Sequence, residues 1–332
     1  MIKALQTLVR SADALVARLY LSMFHERAAL SCFLFHSLFR NEIEIGRNVI
    51  DPLDRTTTAH LRQLIEYYLK HGYRFVSPSE IVAGLPPDQK CALITFDDGY
   101  FNNTLALPLL QEFKVPALFF ISSNHVRQQK CFWWDVLYRE LTARGASPRH
   151  IYAEAVGMKY LRTEEIEARL IGRFGPTSLQ PRCDIDRPFT PTELRDFAAN
   201  GHVHLGNHTA DHAILANYPA EEVELQIRQC QDDLAEMTGR RPDTISYPNG
   251  AYNEEVIAVC REQGIRLGFT VRPHKSRLPA AVAAEDLLTL GRFVPHAEAP
   301  ITSQCRTYRS DVPLYGAFRS AYLRLARGRI TN

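Results

Sequence analysis

The chain reads as an α/β protein built on a parallel sheet, and three observations lead there. Short apolar runs alternate with helical patterns through most of the 332 residues. Several of the helical segments open on start signals, such as Thr190-Pro191 with Glu193, and Pro219 with Glu221 and Glu222. The runs are numerous enough to favour barrel-like closure over a short open sheet, a choice that pattern alone does not decide. Hydrophobic residues make up 45% and charged residues 23% of the chain, an ordinary soluble balance. The formal net charge of +2 gives no ground for a nucleic-acid partner.

Residues 1–30 read as a helical extension. Arg10, Arg18, Glu26 and Arg27 interrupt its apolar character, which argues against a secretory signal, and no uncharged apolar stretch is long enough to span a membrane. The barrel proper is placed at 31–298. Its strands are 31–36, 91–96, 117–121, 202–206, 244–248 and 267–271, with 288–294 a weaker seventh. Helices are expected at 58–71, 102–113, 133–144, 192–200, 220–238 and 253–263, and 145–190 is the least regular stretch. The last segment, 299–332, is basic: Leu314, Phe318, Tyr322 and Leu325 recur at helical spacing beside six arginines. Two readings stay open there, a terminal helix packed on the domain or a basic amphipathic helix on an anionic membrane surface. Seven scattered cysteines without a C-x-x-C pair read as reduced thiols of a cytoplasmic protein, with a peripheral place on the inner membrane surface as the further expectation.

"CALITFDDG" (91–99) ends a buried strand in two adjacent carboxylates, a crowding of like charge that calls for a cation nearby. "HTADH" (208–212) supplies two histidines four residues apart, which one helical turn would set on the same side. Asp98, His208 and His212 together make a two-histidine, one-carboxylate set with coordination left open, which suits Zn²⁺, the metal expected here, and also Fe²⁺, Co²⁺ or Ni²⁺. Neighbouring strand residues face opposite ways, so both aspartates reach one site only at the strand end, where Gly99 allows a sharp turn. Asp97 is then placed to accept a proton from an attacking water.

At these residues the sequence resembles the polysaccharide deacetylases, the NodB-homology group of carbohydrate esterase family 4. "TFDDG" (95–99) is similar to that family's first motif and "HTADH" to its second, and the resemblance covers roughly 31–295. It implies a distorted (β/α) barrel of about seven strands, a metal-dependent N-deacetylase and an N-acetylated glycan as partner. It implies Asp97 as general base and Asp98, His208 and His212 as metal ligands. "SYPNG" (246–250) matches the third motif, with Ser246 at its arginine and Asn249 at its tyrosine. Asn249 would keep the main-chain N–H that helps hold the oxyanion, and Arg292 in "LGRFVP" is the candidate to replace the missing arginine. The usual late L-x-H motif is absent and His296 does not match it. "CFLFHSLF" (32–39) instead looks like the first strand of the circularly shifted branch, which assigns the general acid to His36. Trp133 and Trp134 are candidates to stack on sugar, one of them at least a core residue, and Tyr100 and Tyr247 to line the groove. Thr209 is expected to brace the histidine turn. O-deacetylation, removal of formyl, or a catalytically silent saccharide-binding protein remain as alternatives.

Overall fold

The computed structural model describes residues 2–277 and 284–310. Among these, eight strands run parallel in one sheet: β1 (Leu30–Phe35), β2 (Arg74–Phe75), β3 (Cys91–Phe96), β4 (Ala117–Ile121), β5 (Val203–Asn207), β6 (Thr244–Ser246), β7 (Leu267–Phe269) and β8 (Arg292–Phe293). Seven of them lie side by side in the order β7-β6-β5-β4-β3-β1-β8. Leu290, just before β8, bridges back to Phe269 of β7 in parallel. The result is a nearly closed parallel seven-strand barrel. β2 is an accessory: it takes the edge of β3 at Cys91 and Ala92, before β4 takes over at Ile94.

Alternation divides each strand between two layers. Leu30, Cys32, Cys91, Leu93, Leu118, Phe120, Leu267 and Phe269 form one apolar cluster, the barrel interior. Phe33, Phe35, Ile94, Phe96, Phe119 and Ile121 join the surrounding helices in another. Strands covered on both faces are continuous apolar runs, which is why they stand out in the sequence. Gly206 lies within β5. A side chain there would place its Cβ 2.4 Å from the Phe120 ring, so close packing rather than backbone freedom demands glycine.

The stretch 145–190 is more regular than its sequence pattern indicated. Helices Pro148–Met158 and Thr163–Phe174 pack Ile151, Met158, Ile166 and Leu170 against Trp133, Val136 and Leu137 of helix Trp133–Ala143. The 102–113 segment is a 3-10 turn, Phe101–Ala106, running into helix Leu107–Phe113. The N-terminal helix Ile2–Met23 packs on helix Ile301–Arg309, which packs in turn on helix Thr58–Lys70. The apolar–arginine pattern at 314–325 lies outside the described residues. No helix among the described residues is long and apolar enough to cross a membrane. The cysteines are free thiols, six buried and Cys183 exposed.

Candidate metal centre and its base

The site lies where β3, β5, β6 and β8 end or begin around the barrel mouth. Asp97 follows β3 in the interior-facing series of Leu93 and Thr95. Strict alternation would turn Asp98 away. Instead Asp98 adopts φ 76° and Gly99 φ 88°, and this left-handed pair swings the second carboxylate back to the site. Both aspartates are buried.

His208 and His212 reach Asp98 from a loop, not from the helical turn that their spacing indicated. Thr209 and His212 both take positive φ, 62° and 52°. The loop is shaped by side chains that replace helical bonds: Thr209 N–H donates to Asn207 Oδ1 and Ala213 N–H to Thr209 Oγ1, each 2.7 Å. Nε2 of each histidine lies 3.3 Å from Asp98 Oδ1. His208 donates its Nδ1–H to the Ser246 carbonyl at 2.8 Å, which directs Nε2 inward. Asp98 Oδ2, though buried, has no hydrogen-bond partner. Three convergent donors, one with an orphaned oxygen, fit a divalent cation. Burial would raise the Asp98 carboxyl, but the hydrogen bonds from the two histidines hold it well below the usual range; burial likewise depresses His212.

Asp97 is held by Arg292. The guanidinium donates from Nη1 to Oδ1 at 2.7 Å and from Nη2 to Oδ2 at 2.8 Å, a forked pair with Arg292 fully buried. The fork is itself fixed: Nε donates to the Thr270 carbonyl (3.0 Å), Nη1 also to Thr95 Oγ1 (3.1 Å), and Nη2 also to Ser246 Oγ (2.8 Å). Burial acts to raise the Asp97 carboxyl and Arg292 more than offsets it, so the group stays ionised. Ser246 Oγ donates to Asp97 Oδ2 at 2.9 Å. Ser246 therefore braces both halves of the site, with its hydroxyl on Asp97 and its carbonyl on His208.

His36 follows β1, and its Nδ1 lies 3.1 Å from Asp54 Oδ2. Burial alone would lower the imidazole, but the Asp54 hydrogen bond and the charge of Asp98 hold it up at about 9. Asn249 sits at φ 56° in the tight turn Pro248–Gly250, and its Oδ1 accepts from Lys159 Nζ at 2.9 Å.

The aromatic candidates divide. Trp134 is half-buried with its ring centroid 4.5 Å from that of His212, whereas Trp133 is buried among the insertion helices. Consecutive helical residues point about 100° apart, so one indole faces the core and the other the site. Tyr247 does not line a groove: it is fully buried, packs with Val256 and Cys260, and donates to the Leu288 carbonyl at 3.0 Å. Its neighbour Ser246 faces inward, so alternation sends Tyr247 outward. Tyr100 is also buried, donating to Asp135 Oδ2 at 2.6 Å and accepting from Trp134 Nε1 at 3.1 Å. It supports Trp134 from behind and is not itself open to a ligand. Asp54, Thr95 and the bridging hydroxyl of Ser246 escaped sequence reasoning.

The polysaccharide deacetylase family model matches residues 84–268, more than half of the chain. The chain belongs to the polysaccharide deacetylase family. It is 23% identical over 251 residues to YxkH of Bacillus subtilis (strain 168), a protein classed among these deacetylases, covering 74% of this chain and 66% of that one. Among solved structures, the Streptococcus pyogenes deacetylase PplD, determined with acetate, superposes with a TM-score of 0.56 at 16% identity, covering 85% of this chain and 99% of that one. IcaB from Ammonifex degensii gives a TM-score of 0.55 at 17% identity, with coverage of 85% and 98%. These likenesses establish the barrel as a deacetylase-type fold.

Proposed function

We propose that the protein is a metal-dependent deacetylase that hydrolyses the N-acetyl group of an amino-sugar-containing glycan. The observation that carries this reading is the forked Arg292–Asp97 pair standing beside the Asp98–His208–His212 set. An ionised, oriented carboxylate next to a three-donor open site is what hydrolysis of an unreactive amide requires.

Asp98, His208 and His212 would hold the ion, with Zn²⁺ the best match to two imidazoles and a carboxylate. When bound, it supplies Lewis acidity toward the acetyl carbonyl. The chain's own residues divide the remaining work. Asp97 Oδ2 already accepts from Arg292 and Ser246, while Oδ1 accepts from Arg292 alone and keeps a lone pair. Oδ1 is therefore the oxygen that takes the proton from attacking water as a C–O bond forms to the acetyl carbon. The Asn249 main-chain N–H is the candidate donor to the resulting oxyanion. His36, held protonated at neutral pH by Asp54, gives its proton to the sugar nitrogen as the C–N bond breaks. Acetate and a free amino sugar leave. Trp134, beside His212, offers an indole face for a sugar ring.

A protonated imidazole poised for the leaving group supports amide over ester hydrolysis, since a nitrogen anion is the poorer leaving group. The test is acetate release from N-acetylated oligosaccharides and from O-acetylated glycans by purified protein of measured metal content. Acetate from the former, proportional to metal, supports the reading. Metal and saccharide binding without acetate release from either panel would overturn it.

A further inference from the structure

Large apolar side chains exposed on this protein are mostly scattered singly, as on any soluble surface. The N-terminal helix is different. Leu15, Leu19 and Met23 recur every four residues and are 59%, 50% and 67% exposed, and Phe24 follows at 56%. The opposite side of the helix is already used, since Ala17 and Asp13 are buried where the helix packs on Ile301–Arg309. Phe24 packs its ring on Tyr20, with centroids 5.1 Å apart, whereas Leu15, Leu19 and Met23 stay largely exposed.

Beside the stripe lies a cavity of about 670 Å³ between this helix, helix Thr58–Lys70 and helix Ile301–Arg309. Arg18 and Ser22, one helical position round from Leu15 and Leu19, form one wall, and Lys70, Arg306 and Arg309 contribute to the others. Glu66 is the acid lining it, and Glu26 is shared between Arg309, at 2.8 Å, and Lys90, at 3.3 Å. Lys70 closes its helix just ahead of β2 and the start of β3, so the cavity lies toward the strand beginnings, away from Asp97 at the end of β3.

We propose that this face docks on an anionic phospholipid bilayer, with lipid phosphate in the basic cavity and Leu15, Leu19 and Met23 in the acyl boundary. The pairing of an apolar stripe with flanking cations is the chemistry of an interfacial helix. Charge argues against other occupants. A second copy related by a two-fold axis would bring one cationic cavity toward another. The chain's own 311–332 segment carries Arg319, Arg324, Arg327 and Arg329 against Asp311, so it too meets like charge. The inference does not depend on the deacetylase reading.

The test is sedimentation of the full chain with vesicles of phosphatidylcholine alone and with about 30% phosphatidylglycerol, an anionic content that attracts basic segments. Binding is expected to the anionic vesicles only. Arg18→Glu with Lys70→Glu should weaken it at least about tenfold, and Leu15→Gln with Leu19→Gln and Met23→Gln should weaken it comparably. All these residues are exposed, and an unchanged melting temperature checks that the variants fold. Vesicle binding undiminished in both variants would assign it to another segment and overturn the proposal. So would the absence of anionic-vesicle binding, whether the apolar variant instead abolishes a dimer or inorganic phosphate alone raises the melting temperature.

Discussion

Arg292 and Asp97 lie 195 residues apart in sequence yet meet through two parallel hydrogen bonds of 2.7 and 2.8 Å at the centre of the barrel mouth. Neither group is free to turn. The guanidinium is held by Thr270, Thr95 and Ser246, and the carboxylate by Ser246. Hydrolysis places a strict demand on the direction of the base, and this arrangement meets it with backbone and hydroxyl groups that do not titrate.

Replacing Asp97 with Asn should leave metal content unchanged and reduce the rate of acetate release by roughly 10²–10⁴-fold, the range of a lost general base. Elemental analysis beside a kinetic assay checks both halves. Normal turnover in the variant would remove Asp97 from the base role.

Arg292→Met leaves the Asp97 carboxylate buried without its partner. A loss of about 3–5 kcal/mol in unfolding free energy is expected, measurable by denaturant titration. Arg292→Lys keeps the charge but not the fork, so it should cost less stability while lowering kcat more than it changes KM.

His208→Ala and His212→Ala should each abolish stoichiometric metal binding, and a chelator should inactivate the parent protein reversibly. His208→Ala additionally loses the contact to the Ser246 carbonyl. It is therefore expected to lower the melting temperature of the metal-free protein more than His212→Ala does.

His36 gives a pH signature. Its folded pKa, at about 9, lies above the ordinary 6.5, so its protonated form is favoured by folding. The associated stability is full below 6.5 and is lost as pH rises toward 9. Activity should fall as pH rises through about 9, where the acid loses its proton. Asp54→Asn removes the largest group holding the proton in place and should move that limb to lower pH, with kcat at pH 6 little changed. An alkaline limb insensitive to Asp54→Asn would mean that another group is the acid.

The two tryptophans should separate cleanly. Trp133→Ala opens a cavity among the insertion helices and should cost about 3–5 kcal/mol of stability. Trp134→Ala removes a half-buried ring stacked on Phe132 and the donor to Tyr100, so it should cost less stability than Trp133→Ala, yet lose about tenfold in kcat/KM on oligosaccharides, as expected for one stacked ring.

What the sequence disclosed follows from the physics of each element. Strands buried on both faces are written as uninterrupted apolar runs, so their order and the aspartates closing β3 were readable. Arg292 was readable only through the family resemblance, as the candidate to replace the arginine that Ser246 displaces from the third motif. The histidine spacing pointed to the right pair for a wrong reason, since a loop with two left-handed residues, Thr209 and His212, does what a helix was expected to do. Asp54 left no trace. "DPLDRT" (51–56) has the composition of any turn, and its contact with His36 exists only once the barrel closes. Tyr247 lies one residue past the inward-facing Ser246, so strand phase turns it outward, away from the groove expected of it.

Leu290 and β8 complete the cylinder, and the same short piece of chain carries Arg292. Asp97 is thus moored to the seam. A two-residue strand carries the guanidinium that fixes this carboxylate, so closure of the cylinder and orientation of the proposed base depend on one short piece of chain.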